Sequence, residues 1–587
     1  MCGIIACIAE NAVQKVLSGL KTLEYRGYDS WGIAVKNNHV FSFHKEVGKI
    51  GVAKVEDMHL PVSTIALGHT RWATHGGVTN ENSHPHFSNN NKIVVVHNGI
   101  IENYQELKEE LESLGFKFNS MTDTEVIPNL IELAMSKGVN FRDAVISTLK
   151  RLDGSFGLVI MHADEDAIAF ARRGSPLVLG INKKKNEFYV ASDVPAFLEH
   201  TKDVIYLNDD ELGFIDKKIE MFSLKGDKIT RASEHISWSV DQAKKGDYPH
   251  FMIKEITEQE HSIKHAVMQP KDLIEKIASQ IRSAKKVYFI GCGTSFHACF
   301  NASYYFSRIA NIQVYAALSS EFQLYAPSLD RDTVVVALSQ SGETADTLDA
   351  MKLAKARGAK LIAVVNVLGS SIERLSDERI MMNAGPEICV LSTKSYTAQV
   401  AIMLHLAFAL NKEEKKGRML IEESAKNIRS LIYDNSKTMK VLAEKLKSAT
   451  DMYMIGRDVM YPTAMESALK IKEVSYIHAE GFAGAELKHG TIALIDKGTP
   501  AFAFADESSR ALIVSNATEI KARGGFIIGL DSKPNKLYDV FIKIPSDDFN
   551  TPLYAIIPMQ LLAYYLALAR GCDPDKPRNL AKSVTVR

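Results

Sequence analysis

The residue with the clearest chemical potential in this chain is Cys2, which directly follows Met1. If Met1 is removed, one residue carries both a thiol and a free α-amino group. A thiol is a weak nucleophile until a base takes its proton, and an α-amine with a pKa of ~8 is a suitable base. The position of Cys2 therefore predicts a catalytic nucleophile that supplies its own base.

A second group of chemically capable residues is Glu466, Lys470 and Glu473, in the segment ESALKIKE. In a helix they fall at positions i, i+4 and i+7 and share one face. Such spacing is also common on a solvated charged face. Because the surrounding residues are mainly Ala, Leu, Ile and Val, we interpret the three as acid–base groups in a pocket, with His489 just beyond them.

Three loops rich in small hydroxylated residues precede helical segments: GCGTS (291–295), SQSGET (339–344) and STKSYT (392–397). A helix start of this kind offers backbone N–H groups, hydroxyl donors and a positive dipole end, which suit a phosphate. The alternative is that Ser and Thr merely cap helices. There is no P-loop signature, and GCGTSF lacks the third glycine of a dinucleotide motif. Three such loops in one predicted sheet domain favour a phosphate site.

The elements that must position these residues differ between the two parts of the chain. The first ~240 residues alternate short β-type runs with helical segments at 103–114 and 124–136, which predicts a layered α+β domain. A polar linker and a helical segment at 251–267 follow. After them, strands alternate with helices, which predicts right-handed βαβ units in a parallel sheet.

The second part also repeats itself. YFIG at 288–291 returns as YMIG at 453–456, and KARG at 355–358 returns at 521–524, in both cases about 165 residues later. Each KARG precedes an apolar strand. Two matches at nearly one offset predict two tandem copies of one α/β domain. The second copy lacks the hydroxylated loops, since its first turn reads GRDVMYP.

The composition is that of an ordinary globular protein. The 587 residues have 46% hydrophobic and 24% charged content and no net charge, which gives no bias toward nucleic acid or a membrane. Six cysteines without a CxxC or zinc spacing predict reduced thiols in a cytoplasmic protein. No signal-peptide pattern is present. The apolar segment 552–569 contains two prolines and Gln560, so we expect a buried core helix rather than a membrane span.

Motifs of the first part resemble the N-terminal-nucleophile glutaminase domain of class II amidotransferases, namely CGI, RWATHG (71–76), VVVHNGIIEN (94–103) and TDTEV (122–126). The resemblance implies an αββα sandwich in which Cys2 attacks the glutamine amide. Arg71 can then clamp the substrate carboxylate and Asp123 can pair with its ammonium. Asn98, through its amide, and Gly99, through its N–H, can form an oxyanion hole.

The resemblance implies further glutamine contacts at Trp72, Thr74 and His75. His75 could also belong to a metal site with three neighbouring histidines, His84, His86 and His97. Their spacing matches no metal motif, so we interpret all four as loop or structural histidines.

The whole chain resembles the glucosamine-6-phosphate synthases, through GCGTS, SQSGET, AGPEI…STK, ELKHG and LAKSVTV. This implies two tandem parallel-sheet sugar-isomerase (SIS) domains after the sandwich. The expected boundaries are a glutaminase domain 2–238, linker 239–250, SIS domains 251–425 and 426–572, and tail 573–587. No phosphoribosyl or ATP-binding signature points to the purine-pathway amidotransferase or asparagine synthetase.

The implied reaction turns glutamine and fructose 6-phosphate into glutamate and glucosamine 6-phosphate, the first step of amino-sugar biosynthesis. Ammonia crosses an internal channel gated by Trp72 and the tail near Ala581. Lys582, in a tail that alone would be interpreted as frayed, forms a Schiff base with the ketose. His489, which in the family can come from the neighbouring subunit, assists ring opening. Glu473 moves the proton between C1 and C2.

In this scheme Glu466 and Lys470 support Glu473, and no metal or organic cofactor is needed. A cytoplasmic homodimer without nucleic acid or membrane partners is expected. The residues implied to hold or approach the sugar phosphate are Cys292, Gly293, Thr294, Ser295, Ser339, Gln340, Ser341, Thr344, Val390, Ser392 and Ala581.

Four positions depart from the family pattern: Trp31, EQE at 258–260, Cys389 and Arg587. None removes a proposed catalytic group. The length leaves no room for the interdomain insertion of eukaryotic members, which points to a bacterial or archaeal type. Two alternatives stay open: a sugar-phosphate-binding regulator with an inactive glutaminase, and an amidotransferase for another keto-sugar phosphate.

Overall fold

The computed structural model describes residues 2–73, 75–236, 244–547 and 549–584. These residues form two compact units, one of the residues up to 236 together with 581–584, and one of residues 244–580. Met1, Thr74, residues 239–243 of the expected linker, and Arg587 lie outside the described residues.

The described part of the first unit contains two antiparallel sheets. One has the strand order β15-β11-β9-β10-β1-β4-β2-β3 and the other β14-β13-β12-β8-β7-β6-β5. The strands are β1 (Gly3–Ile8), β2 (Ser30–Asn37), β3 (Val40–Val47), β4 (Ile65–Arg71), β5 (His86–Phe87), β6 (Ile93–Ile101), β7 (Gly154–His162), β8 (Ile168–Arg173), β9 (Val178–Asn182), β10 (Glu187–Ala191), β11 (Asp203–Tyr206), β12 (Glu211–Ile215), β13 (Ile219–Ser223), β14 (Lys228–Ile229) and β15 (Glu234–His235).

The two sheets stack because apolar side chains on alternate positions of their strands face a shared core. Val94 and Val96 of β6 face a core shared with Ile4 of β1, whereas Val95 faces the opposite side, as the period of two along a strand requires. Helix α1 (Ala12–Leu23) packs on β1 and β4. On the outer face of the other sheet lie α2 (Tyr104–Ser113), α3 (Val126–Ser136) and α4 (Phe141–Leu149). The predicted αββα sandwich is confirmed.

The second unit contains two five-stranded parallel sheets, and both have the same order: β17-β16-β18-β19-β20 and β22-β21-β23-β24-β25. Their strands are β16 (Lys286–Gly291), β17 (Tyr315–Leu318), β18 (Thr333–Ser339), β19 (Lys360–Val365), β20 (Glu378–Met381), β21 (Asp451–Gly456), β22 (His478–Ala483), β23 (Pro500–Phe504), β24 (Phe526–Asp531) and β25 (Val540–Lys543). The repeated YFIG and YMIG end the second strand of each order, β16 and β21. Two tandem copies of one parallel α/β fold are confirmed.

Helices cover both sheets of this unit. They are α5 (Phe251–Thr257), α6 (Gln259–Ala266), α7 (Lys271–Ser283), α8 (Thr294–Ala310), α9 (Ala345–Ala356), α10 (Ser371–Leu375), α11 (Lys394–Leu410), α12 (Glu414–Leu446), α13 (Met460–Ser475), α14 (Arg510–Lys521) and α15 (Thr551–Ala569). The single helix expected over 251–267 is divided at Glu258, whose carboxylate is 2.6 Å from the ammonium of Lys394.

Helix α15 is long and apolar enough to cross a membrane by length and composition alone. In the structure, however, 83% of its apolar window is buried inside the protein. It packs against α12 and α13 in a core that runs through both copies. The interpretation of this segment as a core helix agrees with its burial.

Candidate active sites

Cys2 lies at the start of β1, and β1 pairs with β4 so that Gly3 is opposite Thr70. This register brings the thiol beside Trp72, whose backbone N–H donates to Cys2 Sγ at 3.2 Å. Burial raises the pKa of the Cys2 thiol, although the Trp72 hydrogen bond and the Arg71 charge act in the opposite direction. A thiol with a raised pKa needs a base before it can attack.

One of the two predicted oxyanion residues, Asn98, contacts Cys2 directly. The side-chain Nδ2 of Asn98 donates to the carbonyl oxygen of Cys2 at 2.9 Å. Gly99 follows in β6 with a φ of +127°, and a Cβ at this position would lie 2.1 Å from the carbonyl oxygen of Ser155. Only glycine fits there, so the residue that follows Asn98 in this strand cannot carry a side chain.

Arg71 and Asp123 are both buried near this site. The Arg71 guanidinium donates to the carbonyls of His75, Gly76 (3.3 Å) and Gly77 (3.0 Å). Asp123 accepts the backbone N–H of Ile101 at 2.8 Å. Burial lowers the pKa of Arg71, while the Cys2 thiol, Asp29 and Asp123 act against this. Arg71 therefore also organises the loop at 75–77.

Four histidines of this unit, His69, His84, His86 and His97, are buried and lie close together. The rings of His69 and His84 stack with centroids 4.0 Å apart, and His84 meets His86 edge-on. Burial lowers the pKa of His69 to about 3, and the pKa values of His84, His86 and His97 are lowered by the same cause. Among the described residues, no group of three or more His, Cys, Asp or Glu side chains is arranged to hold a metal ion.

In the second unit, the sheet order creates a place for a ligand. The chain leaves β16 for β17 on one side and reaches β18 on the other, so the carboxyl ends of β16 and β18 flank a topological switch point, where ligands of open α/β sheets bind. The loops GCGTS and SQSGET follow these two strands. The structure thus brings two of the three predicted phosphate loops together.

The SQSGET loop is held in a tight turn. Ser339 Oγ accepts the Gly342 N–H at 3.0 Å and lies 3.2 Å from Thr344 Oγ1. Gly342 has a φ of +66°, and a Cβ there would lie 2.0 Å from Ser370 Oγ. Ser341 Oγ accepts the backbone N–H of Glu343 at 3.2 Å. Three hydroxyl groups of the predicted set are therefore gathered at the start of α9.

The third loop, STKSYT, was expected to leave the backbone N–H groups at the start of α11 open for a phosphate. The structure shows a different arrangement. The buried carboxylate of Glu387 accepts the N–H groups of Thr393 (2.9 Å) and Ser395 (3.0 Å). This helix start therefore already carries a negative charge supplied by the chain itself. The role predicted for Val390 and Ser392 at the phosphate stays a prediction.

The GCGTS loop connects to the second copy through Thr294. Its hydroxyl donates to Glu466 Oε1 at 3.0 Å and accepts from Lys470 Nζ at 3.0 Å. His297, one turn along α8, places Nδ1 2.7 Å from Glu466 Oε2. The start of α8 and the middle of α13 thus form one polar network between the two copies.

The predicted charged triad of α13 is buried, as the pocket interpretation requires. Lys470 Nζ lies 3.3 Å from Glu466 and 2.7 Å from Glu473. The side chains of Glu466 and Lys470 are fully buried, whereas that of Glu473 is 21% exposed. Burial lowers the pKa of Lys470, but the two carboxylates outweigh it and the net shift is upward. Lys470 is therefore a fixed cation, and Glu473 is the member open to a ligand.

The other predicted residues are placed as follows. Ser295 Oγ accepts from Gln399 at 3.0 Å, and the Cys292 thiol lies 3.6 Å from Thr347 Oγ1. His489 ends a 3₁₀ turn that begins at Glu486. Ala581 and Lys582 group with the first unit.

Three residues that make contacts in these candidate sites were not predicted from the sequence: His69, His297 and Glu387. His297 is separated from Thr294 by one helical turn, and His69 shares a strand face with Arg71, so spacing offered a weak signal for both. Glu387 gave none, because its contact with α11 depends on how the loop before the helix folds back.

Two family models match the chain. The one described as SIS domain matches residues 280–409 and 445–570, and the one described as glutamine amidotransferase domain matches residues 69–199. Together with the sandwich and the two parallel sheets, they define a class: a glutamine amidotransferase domain joined to two SIS domains.

Curated relatives narrow this class. A protein of Thermococcus kodakarensis named glutamine–fructose-6-phosphate aminotransferase (isomerizing) is 44% identical over 100% of both chains, and a protein of that name from Clostridium acetobutylicum is 42% identical over 100% of both. The solved C-terminal domain of glucosamine-fructose-6-phosphate aminotransferase from Francisella tularensis is 32% identical, with a TM-score of 0.52, over 57% of this chain and 100% of its own. This chain belongs to the glutamine–fructose-6-phosphate aminotransferase (isomerizing) family.

Proposed function

We propose that this chain converts glutamine and fructose 6-phosphate into glutamate and glucosamine 6-phosphate. The observation that carries the proposal is the Glu466–Lys470–Glu473 network joined through Thr294 to a hydroxyl-rich loop at the switch point. It combines acid–base groups with a sugar-phosphate cradle in a chain that also holds a Cys2 amide-cleavage site. The names of the relatives support the same reaction.

In the amide-cleavage half, Cys2 attacks the side-chain amide carbon of glutamine. Its proton passes to its own α-amine, which requires that Met1 be removed. The developing oxyanion is bound by the Asn98 amide and the Gly99 N–H, and the contact of Asn98 Nδ2 with the Cys2 carbonyl supports this role. Arg71 and Asp123 bind the α-carboxylate and α-ammonium, and Trp72, Thr74 and His75 complete the pocket. The tetrahedral adduct then collapses with cleavage of the C–N bond, and the α-ammonium gives its proton to the amide nitrogen, which leaves as ammonia. Water hydrolyses the remaining thioester, which releases glutamate and restores the Cys2 thiol.

In the sugar half, the loops after β16 and β18 bind the phosphate. Lys582 forms a Schiff base with C2 of the open-chain ketose, and His489 assists ring opening. The Schiff base releases water as it forms, and ammonia then adds at C2 and displaces the amine of Lys582. Glu473, the partly exposed member of the triad, moves the proton from C1 to C2. Lys470 holds Glu473 ionised when it acts as a base, and Glu466 holds Lys470 in position.

The remaining predictions follow the family. They are the ammonia channel gated by Trp72 and Ala581, the homodimer, the cytoplasmic location, the domain boundaries given above, and the sugar-phosphate contacts at Cys292, Gly293, Ser295, Gln340, Val390 and Ser392. None requires a metal or an organic cofactor.

The proposed function is tested by incubating the purified chain with glutamine and fructose 6-phosphate and measuring both products. Cys2→Ala should abolish glutamine hydrolysis, because it removes the nucleophile. Glu473→Gln should abolish glucosamine 6-phosphate formation and leave glutamine hydrolysis measurable, because it removes only the proton carrier. Cys572→Ala, a change to a cysteine that the proposed mechanism does not use, is the control.

Normal glutamine use by Cys2→Ala would show that the nucleophile is another residue. Binding of fructose 6-phosphate without turnover by the chain lacking Met1 would favour a regulator. Faster turnover with another ketose phosphate in the same assay would change the acceptor sugar.

A further inference from the structure

We propose that His69 is a positioning residue of the amide-cleavage site, which holds the side-chain amide of Asn98 in the orientation that stabilises the oxyanion. The inference deepens the glutamine half of the proposed function and rests on it. His69 takes no part in proton transfer in this scheme.

The contact is made between the two sheets of the sandwich. His69 Nε2 lies 3.1 Å from Asn98 Oδ1 and 3.0 Å from the carbonyl oxygen of His97. Both partners are acceptors, because an amide oxygen and a backbone carbonyl have no proton to give. Nε2 must therefore carry the proton, and His69 donates it to both oxygens.

This donation decides which way the Asn98 amide faces. With Oδ1 on His69, Nδ2 donates one proton to the Cys2 carbonyl at 2.9 Å and keeps its second proton for the substrate. A half-turn of the amide would set Oδ1 against the Cys2 carbonyl and Nδ2 against the Nε2–H of His69. Both new contacts are repulsive, so the two partners of Asn98 exclude the flipped form.

The surroundings of His69 keep its ring in that state. The ring is fully buried and stacks on His84 with an interplanar angle of 13°. Its other nitrogen, Nδ1, has no hydrogen-bond partner among the described residues. A second proton would therefore be unpaired, and burial, aided by the charge of Arg71, lowers the pKa of His69 to about 3. The ring stays a neutral Nε2–H donor over the working pH range.

The test compares His69→Leu and His69→Gln with wild type. Without the donor, the amide of Asn98 is free to flip, and we expect kcat for glutamine hydrolysis to fall about 10²-fold with little change in KM, as for loss of one oxyanion donor. Glutamine at position 69 extends an N–H toward the place of Nε2, so His69→Gln should recover at least tenfold over His69→Leu. Alkylation of Cys2 by iodoacetamide forms no oxyanion and should keep its wild-type rate in both variants.

His162→Leu is the matched control, since it also removes a buried histidine of this unit and should leave kcat unchanged. If His69→Leu kept kcat within threefold of wild type, or slowed iodoacetamide and glutamine to the same extent, the positioning role would be wrong. If His69→Leu does not fold, equal loss of kcat and alkylation in His69→Gln would overturn it. Absence of glutamine hydrolysis in the wild-type chain would instead overturn the proposed function.

Discussion

At the scale of single residues, Lys470 is the cation that balances the two carboxylates of the α13 triad. It is fully buried between two carboxylates and also donates to the Thr294 hydroxyl. Glu466 has the partners Thr294, His297 and Lys470. Every charge in this group is compensated only while all members are present, because a buried charge without a partner is costly.

We expect Lys470→Met to destabilise the chain by about 3–5 kcal/mol, the usual cost of leaving one member of a buried ion pair alone. The pKa of Glu473 should rise, because the cation beside it is gone. The acidic limb of the isomerisation rate against pH should therefore move to higher pH. Denaturant unfolding and the pH profile measure the two effects.

Lys472→Met is the control for this substitution, because Lys472 lies on the exposed side of the same helix. It should change the free energy of unfolding by no more than ~0.5 kcal/mol. Equal effects of the two substitutions would show that the buried network does not depend on Lys470.

At the scale of elements, the two SIS copies have the same strand order but carry different side chains at the switch point of the sheet. After β18 the switch point offers hydroxyl groups, whereas after β23 it holds Asp506, a fully buried carboxylate that accepts the Ser509 N–H at 2.7 Å. A carboxylate at that helix start takes the place that a phosphate would need. The first copy binds the sugar phosphate in our account, and the second contributes the triad of α13.

The strands β4, β5 and β6 and the turn before β5 carry the histidine group, which gives this unit a specific acid response. His69, His84, His86 and His97 have folded-state pKa values below the ordinary 6.5. Their stabilising effect is complete above pH ~6.5 and is lost as pH falls toward the folded pKa values. His69, whose folded-state pKa is about 3, should alone cost about 1.4 kcal/mol per pH unit as the pH falls below ~6.5.

We therefore expect the first unit to be less stable at pH 5 than at pH 7. The three tryptophans of the chain, Trp31, Trp72 and Trp238, all belong to this part of the sequence, so tryptophan fluorescence during urea unfolding reports on it selectively. His39→Asn changes an exposed histidine and should leave the pH slope unchanged. A urea midpoint that stays constant between pH 7 and pH 5 would contradict the neutral buried group.

Most secondary-structure elements and motifs could be predicted from the sequence, whereas the contacts between side chains of different elements could not. The strand runs predicted a layered α+β domain, and the alternation of strands and helices with the repeated YFIG predicted two parallel sheets, because these patterns are local. The αββα sandwich followed from the family resemblance. The contact of His69 with Asn98 joins two different sheets, and that of Thr294 with Glu466 joins residues 172 positions apart. Neither contact can be predicted from the spacing of residues along the chain, because each depends on how separate sheets or helices pack against each other. The Glu387 carboxylate at the start of α11 was missed for the same reason.

At the scale of the whole molecule, the amide-cleavage half-reaction must supply the nitrogen atom that the sugar half-reaction consumes. The first compact unit carries the Cys2 site and the second carries the switch point and the triad of α13. Each half-reaction can be measured alone, so separate activities do not establish transfer between them. The central claim is that the amide nitrogen released at Cys2 becomes the amino group of the sugar.

Isotope transfer tests this claim most directly. The chain is incubated with fructose 6-phosphate and glutamine labelled with ¹⁵N in the side-chain amide, in the presence of excess unlabelled ammonium. Mass spectrometry then measures the nitrogen isotope in glucosamine 6-phosphate. We predict that the sugar carries ¹⁵N despite the unlabelled ammonium. A product that carries mainly ¹⁴N, with labelled ammonia accumulating in solution, would show that the nitrogen is not transferred within the protein.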